Sequence, residues 1–278
     1  MQLTVLLDNN TLIDRYFYGE PGVSYLIEEK NIKILFDVGY SDAFIKNAQK
    51  MNISLFDVDF IVLSHGHIDH TGGLEPLVKY YLEAAIEKIP HKKPTIIAHP
   101  LAFATKKIED LDDIGSLMPE NKLSLHFKLN PSKEPLWLSE DLVFLGEIPR
   151  KNDFEAQKPM GKRLINNVSE EDDLSDDSAL VYQSLQGLIV ITGCSHAGIC
   201  NIVEYAKKVC RVNKIVDIIG GFHLLQPGDF QLQKTLEYMK QLNPGTVHAC
   251  HCTDLKSKIA LSGVIPLEEV GVGLQLVF

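Results

Sequence analysis

The chain has 278 residues, 45% hydrophobic and 23% charged, with a formal net charge of −10. That is ample apolar material for one or two packed domains, and the acidic balance excludes a general grip on nucleic-acid backbones, which needs clustered Lys and Arg. No stretch approaches the ~20 consecutive apolar residues of a membrane helix.

Five cysteines, an odd number in a chain this long, do not form a disulfide framework, and the opening MQLTVLLDNNTLID carries no basic leader. Reduced thiols and a cytoplasmic location are the expectation.

In chain order, TVLLDN, VSYLIEE and IKILFDVG read as three strands, and SDAFIKNAQKMNI as a helix capped by Ser41. VDFIVLS is apolar throughout, as a strand covered on both faces should be. After it, Thr71 is the expected cap of a helix running to about Ile89, with Leu74, Leu77, Val78, Tyr81, Leu82, Ala85 and Ile86 at helical spacing. PTIIAHP is a further strand. LVFLGEIP, SALVYQSL and GLIVITG open a second half. It continues with a helix over 199–209, the strand KIVDIIGG, a helix over 230–241 and the strand GTVHACH. The polar segment 149–178 has no period and reads as an insertion, its acidic end a solvated run. No repeat of solenoid length is present. One domain spanning 1–278 is expected, in two αβ halves of approximately 1–140 and 141–278.

The chemistry concentrates in IVLSHGHIDHTGG. His65 and His67 are two apart, so on an extended backbone they point the same way. Asp69 and His70 follow as the chain turns. Imidazole plus carboxylate suits Zn, Fe or Mn better than Ca or Mg. Four such residues crowd a single ion but divide readily between two, and an ion pair ~3.5–4 Å apart activates a bridging water.

SHGHIDHTGG matches the HxHxDH motif in full, and the chain resembles the metallo-β-lactamase fold superfamily along its whole length in motif order. The resemblance implies an α/β fold, a four-layer αββα sandwich of two mixed sheets with helices outside, and metals at the edge where the sheets meet. ILFDVG, ending at Asp37 and Gly39, is similar to the strand that supports that site from below. By the same resemblance His65 and His67 bind one metal, and Asp69 and His70 the second.

The later ligands match less closely. ITGCSHAGI offers His196 as a ligand, since no histidine lies between His126 and His196, and Cys194 as a candidate bridge between the metals, since its strand resembles the one that ends in the family's bridging residue. GTVHACHCTD supplies His251 as the last ligand, leaving His248 structural and Cys250 and Cys252 as packing. GGFHL brings His223 to another strand end, where a metal, a leaving group or a substrate would meet it. Two divalent ions are implied, zinc first, with iron or manganese as alternatives.

GEIPR, GCSHAGI, GGFHL and HCT, together with LLDNN and YGEPGVSYLIE, are more particular. They resemble a subgroup of metal-dependent hydrolases that includes archaeal 7,8-dihydropterin-6-methyl-4-(β-D-ribofuranosyl)-aminobenzene-5′-phosphate synthases. The resulting expectation is a metal-dependent hydrolase with a dinuclear site, using metal-bound hydroxide on a small phosphoester, thioester or lactone. A transferase of the synthase type, displacing diphosphate, is the alternative, and a non-catalytic metal-binding protein the third reading. Asp69 and His223 are the candidate catalytic residues, and Arg150 and His223 the substrate-binding ones, with Arg150 offering a bidentate phosphate contact. The transferase reading needs a slot for a flat heterocycle, with Phe17, Tyr18, Phe154 or Phe222 as walls. A small-molecule substrate, phosphorylated or not, is the expected partner, without nucleic acid or membrane. A homo-oligomer stays open.

Overall fold

The computed structural model describes residues 1–108, 110–165 and 168–278. The first sheet has seven strands in the order Gln275–Val277, Gln2–Leu7, Ser24–Glu29, Ile32–Phe36, Phe60–Val62, Thr95–Ile97 and Lys128–Leu129. Pairing is antiparallel up to Ile32–Phe36 and parallel beyond it. The second has six, in the order Thr246–Cys250, Ile215–Gly221, Gly187–Thr192, Ala179–Ser184, Leu142–Phe144 and Leu136–Trp137. Its first three are parallel and the rest antiparallel.

Three apolar clusters define the layers. One is built from both sheets, with Val5, Ile34, Phe36 and Val62 meeting Phe144, Leu180, Ile189 and Ile219. A second joins the outer face of the first sheet to helices Ala43–Lys50 and Leu74–Ile86. The third joins the second sheet to Ile199–Cys210 and neighbouring helices. Helix, sheet, sheet, helix is the four-layer sandwich, and mixed sheets covered on both faces explain the nearly continuous apolar strands.

Local details depart from expectation. Helix Ala43–Lys50 has Asp42 at its cap position, while the Ser41 hydroxyl accepts from Ala43 N at 3.1 Å. Thr71 ends a single turn, Ile68–Thr71, and its hydroxyl donates to His67 O, so the long helix starts after Gly73 instead. That helix buries Leu74, Leu77, Val78 and Tyr81 but leaves Leu82 and Ile86 exposed. The polar segment contains two strands, Lys162–Ile165 and Val168–Glu171, which form a small sheet with Thr105–Lys107. Its acidic end is solvated only in part: Glu170, Glu171 and Asp173 are exposed, but Asp172, Asp176 and Asp177 are buried.

Among the described residues no helix is long and apolar enough to cross a membrane.

Candidate metal centre

Five loops meet at one edge of the sandwich, each leaving the carboxyl end of a strand: Gln2–Leu7, Phe60–Val62, Gly187–Thr192, Ile215–Gly221 and Thr246–Cys250. Strand ends in such sheets leave room for a site that the strands themselves hold rigid. His65–Gly66–His67 runs between the first sheet and Ala102, so close that a Cβ on Gly66 would lie 2.2 Å from Ala102 O. The turn Ile68–Thr71 then brings Asp69 and His70 back toward the same point.

The side chains form two overlapping groups. In the first, His65 Nε2 lies 3.0 Å from His67 Nδ1 and 3.1 Å from His196 Nε2. In the second, His251 Nε2 lies 3.2 Å from His70 Nε2 and 3.3 Å from Asp69 Oδ2. Cys194 belongs to both, with Sγ 3.2 Å from His70 Nε2 and from His251 Nε2. The structure thus brings together His65, His67, Asp69, His70, Cys194, His196 and His251.

The outer contacts decide where the ring protons sit. The Ser64 hydroxyl donates to Asp37 Oδ2 at 2.7 Å, so its oxygen is left to accept from His65 Nδ1 at 2.9 Å. Asp37 Oδ2 also accepts from His70 Nδ1 at 2.7 Å. Asn9 Oδ1 accepts from His251 Nδ1 at 2.9 Å, and Asp8 Oδ1 from His251 N. With Nδ1 engaged in these three rings, Nε2 is the atom each turns inward, His65 toward His67 and His196, and His70 and His251 toward each other and Cys194. Imidazole nitrogens held this way by partners on the far side of the ring are oriented as metal ligands are. Asp37, His223 and His251, like Ser195 between two of these side chains, have φ between 49° and 61°. Left-handed backbone at these four non-glycine positions holds strain at this edge.

The electrostatics differ between the two groups. Burial and the surrounding imidazoles hold His65 and His196 well below the ordinary histidine range, and burial brings His67 down to about 4. These rings are neutral at pH 7, as ligands must be. Burial opposes charge on His70, but Asp69 and Asp37 overcome it and raise the ring to about 9. Burial likewise works against ionisation of Asp69, yet His70 and His251 pull its carboxyl well below the usual range.

Residues 18–251 match the metallo-beta-lactamase superfamily. The chain belongs to that superfamily. A Methanocaldococcus jannaschii relative, 7,8-dihydropterin-6-methyl-4-(beta-D-ribofuranosyl)-aminobenzene-5'-phosphate synthase, is 31% identical over 87% of this chain and 84% of its own length. An uncharacterized protein of the same organism is 34% identical, covering 94% of this chain and 93% of its own length. The crystal structure of Tm1679, a metal-dependent hydrolase of the beta-lactamase superfamily, superimposes with a TM-score of 0.84 at 27% identity, covering 100% of this chain and 99% of that one. Membership implies divalent-metal binding, and the donor set fits it.

Within this metallo-β-lactamase fold, His223 stands beside the first group, its ring centroid 4.3 Å from that of His196 and its Nδ1 buried without a partner. Burial alone would lower its pKa, but Cys252 and Asp177 raise it. His196, His223, Ser195 and Phe222 line a cavity of about 250 Å³ whose far wall is residues 156–160. Arg150 is not among its lining residues. Its guanidinium donates to Leu174 O at 2.9 Å and lies 3.6 Å from Asp173, so it fastens the acidic loop. Of the expected aromatic walls, Phe222 faces this cavity, Phe154 lines a different one, and Phe17 packs on Gly273.

Cys252 differs from its reading as packing. It accepts from His223 N at 3.3 Å and donates to Cys194 O at 3.3 Å, joining two loops of the centre. Sequence reasoning also passed over Ser64, Asp8, Asn9 and Asp176, whose Oδ2 accepts from Gly66 N at 2.8 Å. LLDNN and the serine before the motif were the available signals. His248 is structural, paired with Asp217 at 2.9 Å.

Proposed function

We propose that the chain is a metal-dependent hydrolase with a dinuclear centre, acting on a phosphoester, thioester or lactone of small size. The observation that carries this reading is the pair of donor groups sharing Cys194. His65, His67 and His196 would hold one ion, Asp69, His70 and His251 the second, and the Cys194 thiolate would lie between them. Zinc suits this mixture of imidazole, carboxylate and thiolate, with iron or manganese as the alternatives. Two such ions would supply Lewis acidity and a water nucleophile at neutral pH.

The protein's own groups do the rest. The 250 Å³ cavity receives the substrate, with Gln157, Lys158 and Gln231 at its polar wall and Phe222 at its apolar one. His223 carries the proton to the leaving atom, which its raised pKa favours. Asp69 orients through its contacts to His70 and His251. The net charge of −10 supports a small-molecule partner over a nucleic acid, and a cytoplasmic setting suits five free thiols.

The M. jannaschii synthase favours a second reading, transfer to an amine with loss of diphosphate. In one arm of the test, metal-loaded protein receives dihydropterin diphosphate with an aryl amine acceptor. In the other it receives generic phosphodiester, thioester and lactone substrates. Ester turnover without any acceptor supports the hydrolase. Diphosphate release that requires the amine replaces it with the transferase. No turnover in either arm, with two ions bound, sinks both.

A further inference from the structure

The 149–160 segment separates two cavities that share no lining residue. Residues 156–160 face the cavity beside His196, while Pro149, Lys151, Asn152 and Phe154 face another of about 470 Å³. Its opposite walls are the outer face of helix Ile199–Cys210, through Asn201, Tyr205 and Lys208, and Tyr238 of helix Asp229–Leu242. No histidine reaches it, so it does not belong to the metal centre.

We infer that this cavity is a second binding site, for a planar aromatic molecule bearing a carboxylate or phosphate. Its volume lies within the range of small-ligand pockets. Three rings, Phe154, Tyr205 and Tyr238, line it and supply apolar surface against which another ring packs.

The charge is as particular as the shape. Glu204 is the single acidic residue of the lining, and it is already engaged by Lys207 Nζ at 2.7 Å and by the Tyr238 hydroxyl at 2.7 Å. Lys151 and Lys208 form no ion pair with any described residue. Two unmatched ammonium groups beside a neutralised carboxylate make a positive spot on a chain of net charge −10. An anionic substituent answers it.

The site is also built in advance. Asn201 Oδ1 accepts from Lys151 N at 2.9 Å and from Asn152 N at 3.3 Å, while its Nδ2 donates to Ala197 O at 2.9 Å. Glu155 then accepts from Cys200 N at 3.0 Å and Asn201 N at 3.1 Å, tying the segment to the start of the helix. A ligand therefore meets walls already in place and loses little affinity to loop ordering.

The test uses metal-loaded full-length protein and ligand-observed NMR, with benzoate and phenylphosphonate as probes. Inorganic phosphate reports on anion binding alone, and cyclohexanecarboxylate on charge without a planar ring. Saturable binding of one or both aromatic anions is expected, weakened about tenfold in Tyr205→Ala and in Lys208→Glu and retained in Tyr205→Phe. Phenylphosphonate alone marks a phosphate-bearing ligand, and benzoate alone a carboxylate. Lys208 is exposed, so its substitution tests the charge without disturbing packing. Binding that survives both substitutions but vanishes in His67→Asn would put the anion at the metal centre and overturn the inference. So would cyclohexanecarboxylate or phosphate binding as well as the aromatic probes, or no saturable binding in folded protein.

Discussion

Asp37 Oδ2 accepts from His70 Nδ1 at 2.7 Å, and the same oxygen reaches His65 through the Ser64 hydroxyl. One buried carboxylate therefore sets the tautomer of a histidine in each donor group. Carboxylates behind metal-binding imidazoles are worth roughly 10–100-fold in metal affinity. Asp37→Asn is expected to lose that much at both sites while still folding, because asparagine tolerates the left-handed backbone at this position, φ 55°. Chelator competition on the purified variant measures it. Unchanged affinity at both sites would show that Ser64 and the packing suffice to orient the rings.

Cys194 is the single residue common to both groups, and the reading of it as a bridge makes a spectroscopic prediction. Cobalt-substituted protein should show a near-ultraviolet sulfur-to-metal charge-transfer band, since a coordinating thiol is deprotonated outright. Cys194→Ser should abolish the band and lower the metal content from two toward one per chain. A band that persists in the variant would assign the sulfur to Cys252, which lies against the Cys194 carbonyl.

How much of this was legible depended on sequence separation. His65, His67, Asp69 and His70 lie within six positions, so strand alternation and one helical turn place them without tertiary knowledge. His196, His223 and His251 each follow an apolar strand, and the rule that sites gather at strand ends located them. Arg150 could not be placed that way, because its partners Leu174 and Asp173 come from a loop with no period. Within the acidic run 170–177, the burial of Asp172, Asp176 and Asp177 is illegible for a related reason. A carboxylate is buried only when a partner awaits it, and Lys106 stands 66 residues from Asp172 and 70 from Asp176. Composition cannot reveal a pairing at that range.

Lys106 supplies the third prediction. Its ammonium lies 2.9 Å from Asp172 Oδ2 and 2.9 Å from Asp176 Oδ1, with all three side chains buried. Lys106→Met keeps the stem but leaves buried Asp176 without a cation and Asp172 with Arg163 alone, 3.4 Å away, at a cost of about 3–5 kcal/mol. Because Asp176 also holds Gly66 N, between His65 and His67, metal affinity should fall as well. Urea unfolding with an unchanged m-value reads the first effect. Lys79→Met, at the exposed pair with Glu75, is the comparison and should leave stability almost unchanged. A change that small at Lys106 would mean that the acidic loop reaches water when the lysine is gone.

Glu155 gives a pH-dependent prediction away from the donor groups. Burial raises its carboxyl above the ordinary 4.5, against the opposing hydrogen bonds from Cys200 N and Asn152 Nδ2. A raised folded-state pKa means that the native protein binds the proton more tightly than the unfolded chain does. The stabilisation from that proton is fully present below 4.5 and is lost as pH rises through the folded value. Glu155→Gln does not titrate, so it lacks this loss. It does give up one of the two oxygens that accept from the first turn of helix Ile199–Cys210, so it begins less stable at low pH. The gap in melting temperature between native protein and variant should therefore narrow as pH rises from 4.5. Metal-linked effects are common to both proteins and cancel in the difference. A constant gap would show that the hydrogen bonds, rather than burial, set the ionisation of Glu155, and a widening gap would show that the charged carboxylate stabilises the helix start.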